Sequence, residues 1–97
     1  MGRSEILGVL KPRLRMIQTT FGVKELMLFG SAARDEIRPE SDIDILVEFD
    51  QQPGFDRFMD LKFFLEDLLK AKVDLVTRDA LKPRMRPIIE KEAVNVA

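Results

Sequence analysis

Apolar residues recur along this chain with a helical period in some segments and with a strand period in others. The first segment, from Ser4 to about Thr20, has helical spacing, with apolar positions at Ile6, Leu10, Leu14 and Ile17. Pro12 lies inside this segment and has no N–H to donate, so we expect a kink or a helix that restarts near it. Gly22 follows and is expected to cap the helix at its C-terminal end.

Three short segments have the pattern of β-strands. Leu26–Phe29 is a continuous apolar run, which is typical of a buried strand. Asp42–Phe49 alternates, so that its odd-numbered apolar residues share one side and its even-numbered residues share the other. Val73–Thr77 is the third predicted strand. Between the first two strands, Ser31–Ile37 is predicted to form a short helix.

Two further helices complete the predicted order. Phe55–Lys70 is amphipathic, with an apolar stripe formed by Phe58, Leu61, Leu65, Leu68 and Leu69. Pro87 suits the first turn of a last helix that carries Ile88, Ile89 and Ala93. The resulting order α-β-α-β-α-β-α predicts an α+β fold (mixed α/β), in which a small mixed β-sheet is covered by helices. We expect a single domain over residues 1–97.

Composition narrows the chemistry that this chain can perform. There is no histidine and no cysteine, which excludes His-based triads, thiol nucleophiles and Cys/His zinc sites. The formal net charge of −1 provides no field that would draw the chain onto a nucleic acid. No apolar run reaches membrane-spanning length, and the N-terminus lacks the apolar stretch of a secretion signal. We therefore expect a cytoplasmic protein with no membrane or direct nucleic-acid partner.

The candidate chemistry lies in one stretch of the sequence and one later strand. Gly30-Ser31 forms a tight turn after a strand, and free backbone N–H groups in such a turn suit phosphate oxygens. Asp42 and Asp44 are two residues apart on a strand, so both carboxylates project to the same face. Asp74 supplies a third carboxylate from another strand. Since Mg²⁺ prefers a few carboxylates together with phosphate oxygens and water, the set predicts metal-dependent phosphoryl or nucleotidyl transfer with two ions.

Each of these residues also has a purely structural interpretation. A Gly-Ser pair after a strand is usually a turn and a helix cap. Arg34 has three open roles: it binds a phosphate, pairs with an acid, or is a solvated helix residue. Asp44, in contrast, places a carboxylate inside an apolar strand, which is costly unless a cation is present. We interpret Ser31 as a ligand of the β- and γ-phosphates and Asp74 as the group that helps deprotonate the incoming hydroxyl.

At these residues the chain resembles the minimal nucleotidyltransferase (MNT) proteins of the DNA polymerase beta-like superfamily. Their pattern is Gly-Ser, ten residues, Asp-x-Asp and a later Asp, and it matches Gly30-Ser31, Asp42-Ile43-Asp44 and Asp74. The resemblance implies a palm-like core, ATP as substrate and Mg²⁺ as cofactor. It implies that the three aspartates are catalytic and metal-binding residues, and that the nucleotide is bound by Gly30, Ser31 and Arg34. Asp35 stands where the family often has glycine, and we expect its side chain to face solvent.

The resemblance also implies a partner. Family members of this size commonly act as antitoxins beside a HEPN-domain ribonuclease toxin, and they transfer AMP from ATP onto a tyrosine of that toxin. Because this chain contains no tyrosine, it cannot modify itself on that residue type. Two alternatives remain open: a non-catalytic module that occludes the toxin, and nucleotidyl transfer to a small molecule, although enzymes of that kind usually carry an added substrate-binding domain.

Overall fold

The computed structural model describes residues 1–96 of the chain, and it begins with two short helices. Helix α1 spans Arg3–Leu10 and helix α2 spans Leu14–Phe21, with a single 3₁₀ turn, Lys11–Arg13, between them. The predicted interruption at Pro12 is therefore confirmed, because proline occupies this turn. Gly22 ends α2 in the left-handed conformation, with φ of 68°, and its N–H donates to the Gln18 carbonyl.

The centre of the molecule is a four-stranded sheet with the order β3-β2-β1-β4. Its strands are β1 (Val23–Leu28), β2 (Ile43–Phe49), β3 (Val73–Thr77) and β4 (Val94–Asn95). Strand β1 is antiparallel to both β2 and β4, whereas β2 and β3 are parallel. The sheet is thus mixed, as predicted. It also contains one strand more than the sequence indicated, since a two-residue strand shows no periodicity.

Three helices connect the strands. Helix α3 spans only Gly30–Ala33 and is shorter than predicted, because Asp35 adopts a left-handed conformation that ends the helix. Helix α4 spans Phe55–Leu69, close to the predicted bounds, and helix α5 spans Arg86–Glu92, where a proline occupies the first turn.

The sheet has an apolar layer on each face. The larger layer packs β1, β2 and β3 against α1, α2 and α4, and its members include Ile6, Leu10, Ile17, Ile43, Ile45, Val47, Leu61 and Leu65. The smaller layer lies on the opposite face, where Met27, Leu46 and Leu81 pack against side chains of α5. The predicted alternation of β2 is confirmed, because the even-numbered Leu46 lies on the face opposite to Ile43 and Ile45. No helix within residues 1–96 is long and apolar enough to cross a membrane.

Candidate active site

The turn between β1 and α3 brings a glycine against a carboxylate. The Phe29 N–H donates to the Asp44 carbonyl oxygen at 3.1 Å, which fixes the start of the turn on β2. Gly30 then adopts a φ of +58°, which favours glycine. A Cβ atom built on Gly30 would overlap the Asp44 carboxylate oxygen Oδ2 and would lie 3.1 Å from its Cγ. Both the backbone conformation and the available space therefore require glycine at this position.

Asp44 is partly buried, and this burial is the largest influence that raises the pKa of its carboxyl group. The negative charge of Asp74 is the next influence, and that of Asp42 acts in the same direction. The Ser31 backbone N–H donates to the carboxylate and, together with the charge of Arg34, lowers this pKa. The other predicted site residues, Asp42, Asp74, Ser31 and Arg34, therefore all influence the pKa of the Asp44 carboxyl group. The net effect is a raised pKa, because the Asp44 carboxylate has too little positive charge around it.

Asp44 and Asp74 occupy equivalent positions on neighbouring strands. They are Cα partners in the parallel register of β2 and β3, so their side chains project to the same face of the sheet. The structure thus brings Asp74 next to Asp44, although Asp74 lies 30 residues after Asp44 in the sequence. Asp42 lies just before β2 and, like Asp74, is exposed.

The acids of this site do not form a complete metal cage. Within residues 1–96, no three carboxylate side chains come together as a group that could hold a metal ion. The donors nevertheless fit Mg²⁺, which is usually bound through one or two carboxylates together with substrate phosphates and water. The raised pKa of Asp44 supports this fit, because a nearby cation would relieve the unfavourable charge. The pair that would hold such an ion is Asp44 and its register partner Asp74, and Asp42 stays a predicted further ligand.

Arg34 lies beside the site but is paired with acids. Its Nη1 is 2.9 Å from Glu92 Oε1, and its Nε is 3.3 Å from Glu36 Oε2. The hydrogen bond with Glu36 and the charge of Glu92 raise the pKa of Arg34 above its usual value. Of the three roles left open by the sequence, pairing with an acid is the one that the structure shows. The Glu92 contact spans 58 positions, and nothing in the local pattern indicates it.

Asp35 lies where the resemblance led us to expect a glycine, and its backbone adopts a conformation that favours glycine. Its φ is 60°, the left-handed region that glycine adopts without strain. The side chain is exposed, which confirms the expectation that it faces solvent. Its Oδ1 accepts a hydrogen bond of 2.8 Å from the Arg3 N–H and thereby caps the first turn of α1. The substitution therefore joins the N-terminal helix to the site loop.

Two cavities lie at opposite ends of the parallel strand pair. The larger, of about 380 Å³, lies where β2 and β3 end, and its lining includes Phe49, Phe55 and Arg78. The smaller, of about 330 Å³, lies where the same strands begin, and it is lined by residues 39–42 and 70–72, including Asp42. Asp42 is the predicted site residue that lines the smaller cavity, which lies at the end of the sheet where β2 and β3 begin.

Comparison with known proteins identifies the family of this chain. The family model described as a nucleotidyltransferase domain matches residues 10–96, which is nearly the whole chain. The chain belongs to the minimal nucleotidyltransferase family. It is therefore a nucleotidyltransferase, and Gly30-Ser31 and the three aspartates lie within the matched range.

Two relatives of this nucleotidyltransferase are similar over almost their full length. A Methanocaldococcus jannaschii protein, provisionally named a protein adenylyltransferase, is 42% identical over 94 residues, which cover 96% of each chain. The protein adenylyltransferase MntA of Thermococcus cleftensis is 38% identical over 92 residues, which cover 95% of this chain and 93% of that protein.

Solved structures show the same fold. A provisionally named minimal nucleotidyltransferase superimposes with a TM-score of 0.76 at 35% identity, covering 91% of this chain and 93% of the other. A chain from the complex of the tri-AMPylated HEPN toxin of Shewanella oneidensis with its MNT antitoxin superimposes with a TM-score of 0.67. At 17% identity, with coverage of 94% of this chain and 71% of that one, this second likeness concerns the fold alone.

Proposed function

We propose that this nucleotidyltransferase is an antitoxin that transfers AMP from ATP to a tyrosine hydroxyl of a HEPN-domain toxin, with Mg²⁺ as cofactor. The observation that carries the proposal is the approach of the Gly30-Ser31 turn to Asp44, whose carboxylate is destabilised by burial and by the charge of Asp74. A site of this kind is stabilised when a cation and a polyphosphate bind together. The relative from Thermococcus cleftensis is named a protein adenylyltransferase, which supports the same reaction.

The residues of the chain have separate roles in this proposal. The Gly30-Ser31 turn binds the β- and γ-phosphates through the Ser31 hydroxyl and through backbone N–H groups that do not donate to Asp44. Arg34 adds a positive charge on the same side. Asp42, Asp44 and Asp74 hold Mg²⁺, which when bound neutralises phosphate charge and stabilises the departing pyrophosphate. Asp74 is exposed on β3, so an acceptor that approaches from solvent can reach it.

The proposed reaction exchanges one P–O bond for another. The acceptor oxygen forms a bond to the α-phosphorus of ATP, and the bond from that phosphorus to the bridging oxygen breaks. Pyrophosphate leaves with the electron pair of that bond, while the acceptor proton passes to the Asp74 carboxylate and then to water. The acceptor becomes an AMP ester.

The acceptor is proposed to be a separate protein. The chain has no tyrosine of its own, and helices and strands of the catalytic fold account for most of its residues. The toxin of the Shewanella oneidensis complex is AMPylated and bound to an MNT antitoxin, which supports a HEPN-domain partner and a hetero-oligomeric complex. Since ATP is the substrate, we place this reaction in the cytoplasm.

Radiolabelled ATP tests this proposal. The protein is incubated with Mg²⁺ and a HEPN-domain protein encoded in the neighbouring reading frame, with the label in either the α- or the γ-phosphate. We expect label on the HEPN protein from α-labelled ATP only, and its loss with EDTA or in Asp44→Asn. Label from γ-labelled ATP would indicate a kinase, and the absence of label from both would contradict nucleotidyl transfer.

A second candidate function is toxin binding without transfer. It is favoured by one observation, namely that the described acids do not by themselves form a metal-binding group. The same experiment separates the two functions. If Asp44→Asn still neutralises the ribonuclease and the toxin carries no label, the binding module is correct; if neutralisation is lost together with the label, the enzyme is correct.

A further inference from the structure

Three chain segments meet along the edge of the sheet that carries the site. Strand β1 ends at this edge and continues into Gly30, whereas β2 and β3 begin there, because β1 is antiparallel to β2 and β3 is parallel to it. The order β3-β2-β1 places Gly30 on one side of β2 and Lys72 on the other. With neighbouring strands spaced by 4.7–4.9 Å, the two ends of this row are separated by about 10 Å.

Two lysines line the cavity at the β3 end of this row. Lys70 and Lys72 line the cavity of about 330 Å³ together with Glu40, Ser41 and Asp42. The Lys72 carbonyl oxygen accepts a hydrogen bond of 2.9 Å from the Ile43 N–H, which places Lys72 beside the start of β2. Among residues 1–96, neither lysine ammonium takes part in an ion pair. Two lysines without an ion-pair partner in the described part of the chain therefore line a cavity next to a proposed catalytic acid, and they share this cavity with the carboxylates of Glu40 and Asp42.

The backbone at Lys70 favours a different residue type. Lys70 ends α4 in the left-handed conformation with φ of 53°, where glycine is the usual residue and a side chain causes strain. A lysine at a helix C-terminus also interacts favourably with the helix dipole. The helix dipole does not explain Lys72, because Lys72 lies beyond the end of α4, although it lines the same cavity.

We propose that Lys70 and Lys72 form an oxyanion-binding subsite that takes a carboxylate of the acceptor protein, on the segment that carries the target hydroxyl. This inference rests on the proposed function. In an in-line displacement, the attacking and leaving oxygens lie on opposite sides of the phosphorus. Because the pyrophosphate leaves on the side of Gly30 and Ser31, the acceptor approaches from β3, where the two lysines lie. The preferred acceptor is thus a tyrosine flanked by acidic residues.

Random copolymers of glutamate with tyrosine and of lysine with tyrosine serve as acceptor probes. We expect the wild-type protein to bind the acidic copolymer, measured by fluorescence anisotropy, and to transfer α-labelled AMP to it in preference to the basic one. In the variant K70M/K72M, we expect the affinity for the acidic copolymer and the transfer to it to fall about tenfold. This factor corresponds to the summed free energies of two exposed ion pairs. The control K11M/K91M removes the same charge at two exposed positions and changes neither value. K70G separates strain from binding, since it melts no lower than the wild type yet binds the acidic copolymer more weakly.

The outcomes distinguish this subsite from the proposed function. If transfer to the acidic copolymer is as fast with K70M/K72M as with the wild type, the subsite is overturned and the function stands. The same conclusion follows if the wild type labels the basic copolymer as well as the acidic one. If no acceptor is labelled but binding of the acidic copolymer depends on both lysines, the subsite stands and the function fails. A wild-type protein that does not bind the acidic copolymer also overturns the subsite. The affinity for ATP, measured without an acceptor, tests whether the lysines bind the nucleotide phosphates instead of an acceptor carboxylate. A tenfold loss of this affinity in K70M/K72M assigns the lysines to the phosphates and overturns the acceptor assignment.

Discussion

Gly30 and Asp44 are in such close contact that the turn has no space for a Cβ atom at the glycine. The atom would overlap Asp44 Oδ2, and the φ of +58° at Gly30 is itself unfavourable for any other residue. The glycine of the Gly-Ser motif therefore serves two purposes. It allows the backbone to turn, and it allows the Ser31 N–H to reach the carboxylate.

Gly30→Ala is expected to lower the free energy of unfolding by about 1–3 kcal/mol and to reduce nucleotidyl transfer, because either the turn or Asp44 must move. Thermal denaturation and transfer of α-labelled AMP measure the two effects. Gly8→Ala is the matched control. Gly8 lies within α1, and a Cβ atom there would have no other atom within 4 Å, so the same substitution should stabilise the protein by about 0.5–1 kcal/mol. Equal effects at both sites would contradict the contact.

The raised pKa of Asp44 predicts a pH-dependent stability. The folded state binds this proton more tightly than the unfolded state, so stability is lost as pH rises from the ordinary carboxyl pKa through the raised folded value. Asp44→Asn removes this penalty and is expected to raise stability at pH 7, with no gain well below the ordinary carboxyl pKa. Melting temperatures between pH 3 and 7 test it, with the exposed Asp60→Asn as control. A variant less stable than wild type at neutral pH would disprove the unfavourable charge.

The hydrogen bond from the Arg3 N–H to Asp35 predicts a stability order for this position. Asp35→Ala loses the cap and keeps the left-handed strain, so it should cost about 1 kcal/mol. Asp35→Gly loses the cap but removes the strain, and should therefore be more stable than the alanine variant. Urea denaturation measures the order. An alanine variant as stable as the glycine variant would show that the backbone conformation carries no strain.

The ion pair between Arg34 and Glu92 predicts an effect on nucleotide binding. The Arg34 guanidinium is held by Glu92 and Glu36, which compete with phosphate oxygens for it. Glu92→Gln should tighten ATP binding by about two- to fivefold, the range for one exposed ion pair, whereas Arg34→Gln should weaken it. Isothermal titration calorimetry with Mg²⁺ measures both. If Glu92→Gln weakens ATP binding to the same extent as Arg34→Gln, the pair orients the arginine for the nucleotide instead of competing for it.

Local sequence patterns were sufficient for much of the site. The two-residue period of β2 placed Asp44 and Leu46 on the face opposite to Ile43, which the structure confirms. The interruption at Pro12 and the cap at Gly22 are also confirmed, because both follow from the backbone restrictions of one residue. The assignment of catalytic, metal-binding and nucleotide-binding roles remains a prediction.

Other features were outside the reach of local patterns. Strand β4 has only two residues and forms because Val94 pairs with Leu28, so its existence depends on the edge of β1. Helix α3 was predicted too long, since the sequence around Asp35 did not reveal its positive φ.

The sequence by itself determined which residue types are available and which face each presents, since periodicity and backbone restrictions act over a few neighbouring positions. Only the tertiary structure decided which of these residues meet. The register of β2 and β3 aligns Asp44 with Asp74, and the packing of α5 brings Glu92 to Arg34. Both depend on contacts between distant segments, which form when the whole sheet buries its two apolar faces.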